Sequence, residues 1–102
     1  MTDFYDREGK PLALLEWARK FEDQEYKQVS LTRVSGDRFI STIWLGFNQG
    51  VRLHEPIGPH HIFETALLGW GGVIEVNGRW DTEAEALEGH SIAVAAEGGA
   101  IA

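Results

Sequence analysis

Hydrophobic and polar positions alternate most clearly in the middle of the chain, between residues 39 and 70. The segments 39–46 (FISTIWLG) and 61–70 (HIFETALLGW) are rich in β-branched and aromatic residues and are bounded by turn-forming residues, which predicts two β-strands. Successive side chains of a strand point to opposite faces, so both faces of the first strand carry large apolar groups. This pattern is typical of a strand in the middle of a sheet.

Two shorter segments flank this pair. Residues 26–34 alternate, which predicts a strand with Val29 and Leu31 facing the core and Ser30 and Thr32 facing solvent. The turn-forming residues 35–37 then predict an antiparallel hairpin with the central strand. On the other side, residues 73–76 predict a short fourth strand. The Asn-Gly pair at residues 77 and 78 predicts a hairpin turn after it.

Helical spacing appears near both ends of the chain. Pro11 is expected to open a first helix, which ends near residues 22–24, because its missing amide hydrogen is tolerated in the first turn. The apolar stripe of this helix is Leu14, Trp17, Ala18 and Phe21. A last helix begins at residue 81 or 82, where Thr82 and Glu85 have capping-box spacing. Its predicted inward stripe is Leu87, Ser91 and Val94.

These elements predict an α+β fold, an antiparallel sheet of about four strands with two helices packed on one face. Residues 1–97 are expected to form a single domain and residues 98–102 a disordered tail. Because two helices cover only one face of a sheet, the long loop after Gly46 or a second copy must hide the other. We therefore expect a homodimer.

Composition narrows the function classes. With 9 basic and 16 acidic residues, the formal charge is −7, which argues against general nucleic-acid binding. The absence of cysteine excludes disulfides, thiolate metal sites and a cysteine nucleophile. No apolar run is long enough to span a bilayer, so we expect a cytoplasmic protein without membrane contact.

Histidine and carboxylate side chains cluster in and after the long loop, at His54, Glu55, His60 and His61. These are good ligands for zinc and similar ions, but their spacing matches no established motif. On a strand, adjacent histidines would point in opposite directions. We therefore expect solvent-exposed histidines and no metal or other cofactor, with this group as the alternative metal site.

Aromatic residues near the loop are the second candidate group. Trp44, Phe47 and Trp70 flank glycines, and they are expected either to belong to the core or to form a binding pocket or patch. Arg38 and Arg52 are the candidate phosphate ligands beside them.

Two further polar residues interrupt apolar stretches. Glu64 is expected to pair across strands with an arginine such as Arg33 or Arg38, with a cationic ligand as the alternative. His90 is expected to be hydrogen-bonded at the boundary between helix and sheet, with a role in proton transfer or ligand orientation as the alternative. The sequence has no nucleophile elbow, phosphate-binding glycine loop or paired acid–base set, which argues against an enzyme.

Three short motifs occur in order: S-T-I-W-L-G at residues 41–46, P-x-x-I-F-E-T at 59–65 and W-x-T-E-x-E-A-L-x-G-H at 80–90. With the E-W-A-R segment at 16–19, they resemble small uncharacterised proteins common in phages and prophages of actinobacteria. The resemblance implies a phage accessory role in the host cytoplasm and brings no catalytic residues. The chain departs from it after Gly46 and at residues 60 and 61.

Three hypotheses follow for function. The first is a non-enzymatic phage accessory protein that binds a host protein, in counter-defence or host modulation. The second is a small-ligand binder that sequesters a nucleotide-like molecule in an aromatic pocket. The third is a metal-dependent enzyme built on the loop between His54 and His61.

Overall fold

The computed structural model describes residues 4–48 and 59–101, which form one four-stranded antiparallel sheet with helices. The strand order is β1-β2-β3-β4. The elements are α1 (Leu14–Glu22), α2 (Gln24–Lys27), β1 (Gln28–Ser35), β2 (Arg38–Trp44), β3 (Phe63–Gly69), β4 (Gly72–Trp80) and α3 (Glu83–Ala96). The α+β prediction is therefore confirmed.

The first helix starts later than predicted. Pro11 lies before α1 and forms an isolated antiparallel bridge with Tyr5. A second, one-turn helix follows directly because Asp23 accepts hydrogen bonds from the backbone N–H groups of Glu25 and Tyr26. The expected strand from residue 26 thus begins only at Gln28.

The core lies between the helices and one face of the sheet, called here the covered face. Ile40, Thr42 and Trp44 of β2 lie on this face and are paired with Leu67, Thr65 and Phe63 of β3. All six side chains are buried. Helix α3 crosses all four strands on this side, and the aromatic rings of α1 and α2 contact Trp44.

The orientation predicted for β1 is correct at Val29, which packs against the core, and wrong from Ser30 to Thr32. Leu31 is paired with Ser41 on the other side of the sheet, called here the open face, and its side chain is 53% exposed. Ser30 and Thr32 lie on the covered face, where both hydroxyls contact His90. The alternation itself is correct, but internal hydrogen bonds satisfy the hydroxyls and allow the polar side to be the buried one.

The fourth strand is continuous through the predicted hairpin turn. Thr65 is paired with Gly78 and Ala66 with Val76, so Asn77 is the extra residue of a β-bulge rather than part of a turn. The turn between β3 and β4 lies instead at residues 70 and 71, where Gly72 follows with a φ of +107°.

Helix α3 begins as predicted, with a reciprocal capping box between Thr82 and Glu85. The predicted inward stripe is wrong at Leu87 and Ser91, which are exposed, and correct at Val94, which packs against the core. The buried positions are Ala86, Gly89, His90 and Ala93. A Cβ at Gly89 would lie 2.3 Å from an indole carbon of Trp80, so the small residues let the helix approach the sheet closely.

The segment after α3 contacts β1, since the backbone N–H of Ile101 donates to the carbonyl of Arg33. The expected disordered tail therefore has a contact with the sheet as far as residue 101. Within residues 4–48 and 59–101, the helices are too short or too polar for any of them to cross a membrane.

Candidate functional site

The open face of the sheet has a row of apolar side chains that no helix covers within the described residues. Register pairs place Phe39 opposite Leu68, and Leu68 in turn opposite Val73. Val73 is 60% exposed, whereas the small Ser41 and Ala66 at the centre of the face are buried by their neighbours. The apolar members of the face are Leu31, Phe39, Ile43, Ala66, Leu68, Val73 and Val76.

The turn between β3 and β4 extends this apolar surface at one end. Trp70 is 90% exposed there, the most exposed large apolar side chain in the described residues. Ile74 of the adjoining strand is also exposed. An indole held in water on a two-stranded turn is typical of an anchor for a protein partner, because tryptophan is enriched among residues that dominate interface energies.

Charged side chains flank the apolar row. Glu64 lies on the open face opposite Arg79, and the two side chains form an ion pair at 3.0 Å. The prediction that Glu64 pairs across strands with an arginine was correct in kind, but the partner is Arg79 rather than Arg33 or Arg38. Apolar groups at the centre with charges at the rim are the usual anatomy of a protein interface.

The other predicted binding residues are dispersed. Trp44 is fully buried and donates a hydrogen bond from its indole nitrogen to the carbonyl oxygen of Tyr5 at 2.9 Å, so it is part of the core. Phe47 is half-buried against Trp17. Arg38 is exposed at the start of β2. Because Trp44 is buried in the core and Trp70 is exposed at the turn between β3 and β4, the two do not form one stacking pocket.

Two of the predicted metal candidates are described, and their geometry differs from expectation. His60 and His61 precede β3 and stack with ring centroids 4.0 Å apart. They share a side because His61 has a φ of +55° and is not part of a strand, so the expectation of opposed side chains is wrong. His54, Glu55 and Arg52 lie outside the described residues.

A third ligand-type side chain joins the histidine pair from the turn between β4 and α3. Asp81 accepts a hydrogen bond from the backbone N–H of His61 at 2.8 Å, and its carboxylate is 3.7 Å from Nδ1 of His60. One ligand atom from each of the three residues lies within 4.8 Å of the others. Sequence reasoning missed Asp81 because it lies 20 residues from the pair and joins it only through the fold.

A cavity of about 650 Å³ adjoins this cluster. It is lined by Arg7, Glu8, Gly9, Tyr26, Pro59, Asp81, Thr82 and Glu83. The Arg7 guanidinium donates to Glu83 at 2.6 Å, and this hydrogen bond raises the pKa of Arg7. Burial raises the pKa of Tyr26, so its phenol stays protonated at neutral pH.

Under α3, His90 has both ring nitrogens hydrogen-bonded. Nδ1 is 2.8 Å from the hydroxyl of Thr42, and Nε2 is 2.8 Å from that of Thr32 and 3.2 Å from that of Ser30. Burial lowers the pKa of His90, so the ring is neutral at pH 7. This is the hydrogen-bonded histidine that the sequence led us to expect.

The hydrogen-bond chain continues across the sheet. Thr42 contacts the hydroxyl of Thr65 at 2.6 Å, and Thr65 accepts from the indole N–H of Trp80 at 3.0 Å. Because an indole N–H only donates, a single direction from Trp80 to Nδ1 of a neutral His90 satisfies every member. These polar groups are hydrogen-bonded to one another beneath α3, so we assign the network a structural role.

Comparisons with known proteins add no relative. No family model, no curated protein and no solved structure matches the chain. The function must therefore be argued from the open face, the cavity and the histidine cluster.

Proposed function

We propose that this is a small non-enzymatic protein that acts by binding another protein on the open face of its sheet. The observation that carries the proposal is the apolar row from Leu31 to Val73, extended by Trp70 and exposed on a chain whose opposite face is packed against helices. Exposed contiguous apolar surface on a soluble domain is typical of a partner-binding site.

The size of the face indicates the kind of complex. Four strands spaced about 4.8 Å apart and about seven residues long present roughly 400 Å² in flat projection. Stable specific interfaces bury about 800 Å² of accessible surface on each partner. The open face therefore supports a reversible complex, and the turn bearing Trp70 enlarges it.

A second copy of this chain is one occupant that we propose. Two sheets packed face to face across a twofold axis would bury both apolar rows, as in a β-sandwich. Light scattering over a range of concentrations tests this homodimer: we expect the mass to rise towards that of two chains, and a constant monomer mass would contradict it.

A host protein is the other occupant, and it belongs to the phage accessory role that the motif resemblance implies. A protein can act in counter-defence or host modulation by binding its target in the cytoplasm, and the surface described above suits binding. In this proposal, the homodimer is the resting form and the host partner displaces the second copy from the same face.

Affinity recovery with surface variants tests this function. Leu31→Lys and Val73→Lys place charges on the open face, and Leu15→Lys is the matched control on the 71% exposed Leu15 of α1. We expect a partner recovered from actinobacterial extract to be lost with both open-face variants and retained with the control. Binding must then be reproduced with the purified partner; equal recovery by all variants would contradict the proposal.

The nucleotide-sequestering alternative has weaker support. Trp44 is inaccessible in the core. The cavity presents the carboxylates of Glu8, Asp81 and Glu83 beside the single guanidinium of Arg7, and Glu83 already binds that group. A phosphate would be repelled by this lining, whereas a cation would be attracted.

A further inference from the structure

We propose that His60, His61 and Asp81 form a binding site for one divalent transition-metal ion. The site is independent of the open-face function, because the cluster lies between the start of β3 and the turn before α3. Two imidazoles and one carboxylate form a donor set that suits zinc and its neighbours in the first transition series.

The separations between the ligand atoms are slightly longer than those in an occupied metal site. Bonds of about 2.0–2.1 Å in a tetrahedral site place pairs of ligand atoms about 3.4 Å apart. Nδ1 of His60 and the carboxylate of Asp81 are already 3.7 Å apart, and all three ligand atoms lie within 4.8 Å. Binding an ion requires these separations to shorten by at most about 1.4 Å.

The backbone holds the two imidazoles in place. The N–H of His60 donates to the Asn48 side chain at 3.0 Å, and that of His61 donates to Asp81 at 2.8 Å. His61 has a positive φ, a conformation that is unfavourable for a residue with a Cβ. Backbone strain of this kind concentrates at functional sites. Here it turns the second ring onto the same side as the first.

The surroundings favour a cation. Asp81 belongs to both the cluster and the lining of the cavity, so an ion on the cluster would lie at the cavity edge. Glu8 and Glu83 add negative charge to that lining. Within residues 4–48 and 59–101, three protein ligands leave a fourth position for water or another ligand, which is the composition of open rather than purely structural zinc sites.

Titration calorimetry of the full chain with Zn²⁺ tests the site. We expect one ion per chain in the wild type and at least a tenfold weaker affinity in each of His60→Gln, His61→Asn and Asp81→Asn. Asparagine tolerates the positive φ at residue 61, and the amide oxygen introduced at position 81 retains an acceptor for the backbone, so both variants preserve the fold. Circular dichroism and thermal unfolding without metal verify this.

Two matched controls separate this site from nonspecific surface binding. Glu88→Gln removes an exposed carboxylate of α3, and Asp37→Asn removes another in the turn before β2. We expect both to bind Zn²⁺ as the wild type does. Either control weakening the affinity as much as His60→Gln, a stoichiometry other than one, or wild-type binding no tighter than that of the three site variants would overturn the assignment.

Discussion

The two faces of the sheet differ in how well their side chains are partnered. The covered face buries hydroxyl groups on three strands together with His90, whereas the open face exposes Leu31 and Val73 to solvent. On the covered face every buried side-chain nitrogen and oxygen of the described residues has a partner. Within the same described residues, no helix covers the apolar groups of the open face.

This difference assigns a structural role to the covered face and leaves the open face as the candidate functional surface. A fully partnered polar network gains nothing from a ligand, because its donors and acceptors are already used. An exposed apolar face gains free energy whenever another surface removes it from water. We therefore propose the open face as the side on which a partner would stabilise the molecule, and the following predictions compare it with the covered face.

The largest contrast is expected between two tryptophans. Trp44→Ala on the covered face should lower the free energy of unfolding by about 3–5 kcal/mol, because it removes a fully buried indole and leaves a cavity. Trp70→Ala at the 90% exposed turn should change it by less than about 0.5 kcal/mol. Urea unfolding of both variants measures this, and similar losses would remove the distinction between the faces.

The next effect concerns the close approach of α3 to the covered face. Helix propensity alone predicts that Gly89→Ala stabilises the protein by up to about 1 kcal/mol. The added Cβ would lie 2.3 Å from Trp80, so we expect a destabilisation of about 1–3 kcal/mol instead. Gly36→Ala, where nothing lies within 4 Å of the added Cβ, is the control for thermal unfolding. A stabilised Gly89→Ala variant would show that the helix packs less closely.

A third prediction follows from the neutral His90. Its pKa is lowered in the folded state, so between that pKa and the unfolded value near 6.5 the unfolded chain binds more protons. Stability is therefore complete above about pH 6.5 and falls as the pH decreases, by at most about 1.4 kcal/mol per pH unit from this group. Urea midpoints between pH 8 and 5.5 should show the decline in the wild type, and His90→Gln should lack this component. Identical profiles would exclude the buried neutral ring.

The smallest effect is expected on the open face. The partly exposed pair of Glu64 and Arg79 should show a coupling energy of about 0.2–1 kcal/mol in a double-mutant cycle with Glu64→Gln and Arg79→Gln. Salt should reduce this coupling, since the pair borders solvent. A coupling above about 2 kcal/mol would mean that the pair is desolvated and that the open face is already covered.

The strands, their antiparallel order and the capping of α3 could be predicted from sequence, because period-two alternation and capping residues act locally. The buried side of β1 could not. Ser30 and Thr32 look solvent-facing until His90, about 60 residues away, provides their partners. The buried side of α3 was mispredicted at Leu87 and Ser91 for a similar reason. Small residues face the sheet there because the helix lies close to Trp80.

The candidate sites were less predictable than the fold. Trp70 was recognisable as a binding candidate, but sequence could not distinguish it from the buried Trp44, because both are flanked by strand residues and glycine. The histidine pair was visible, whereas its third member was not. Asp81 reaches the pair through the pairing of β3 with β4, and a positive φ at His61 has no reliable sequence signal.

Photo-crosslinking inside cells tests the role of the open face most directly. A photoreactive phenylalanine analogue placed at Leu31 lies on the open face, and the same analogue at Leu15 lies on exposed α1. We predict covalent adducts with another protein, either a second copy or a partner, at position 31 and not at position 15. No adduct at position 31, or equal adducts at both positions, would contradict the proposal that the open face is the binding surface.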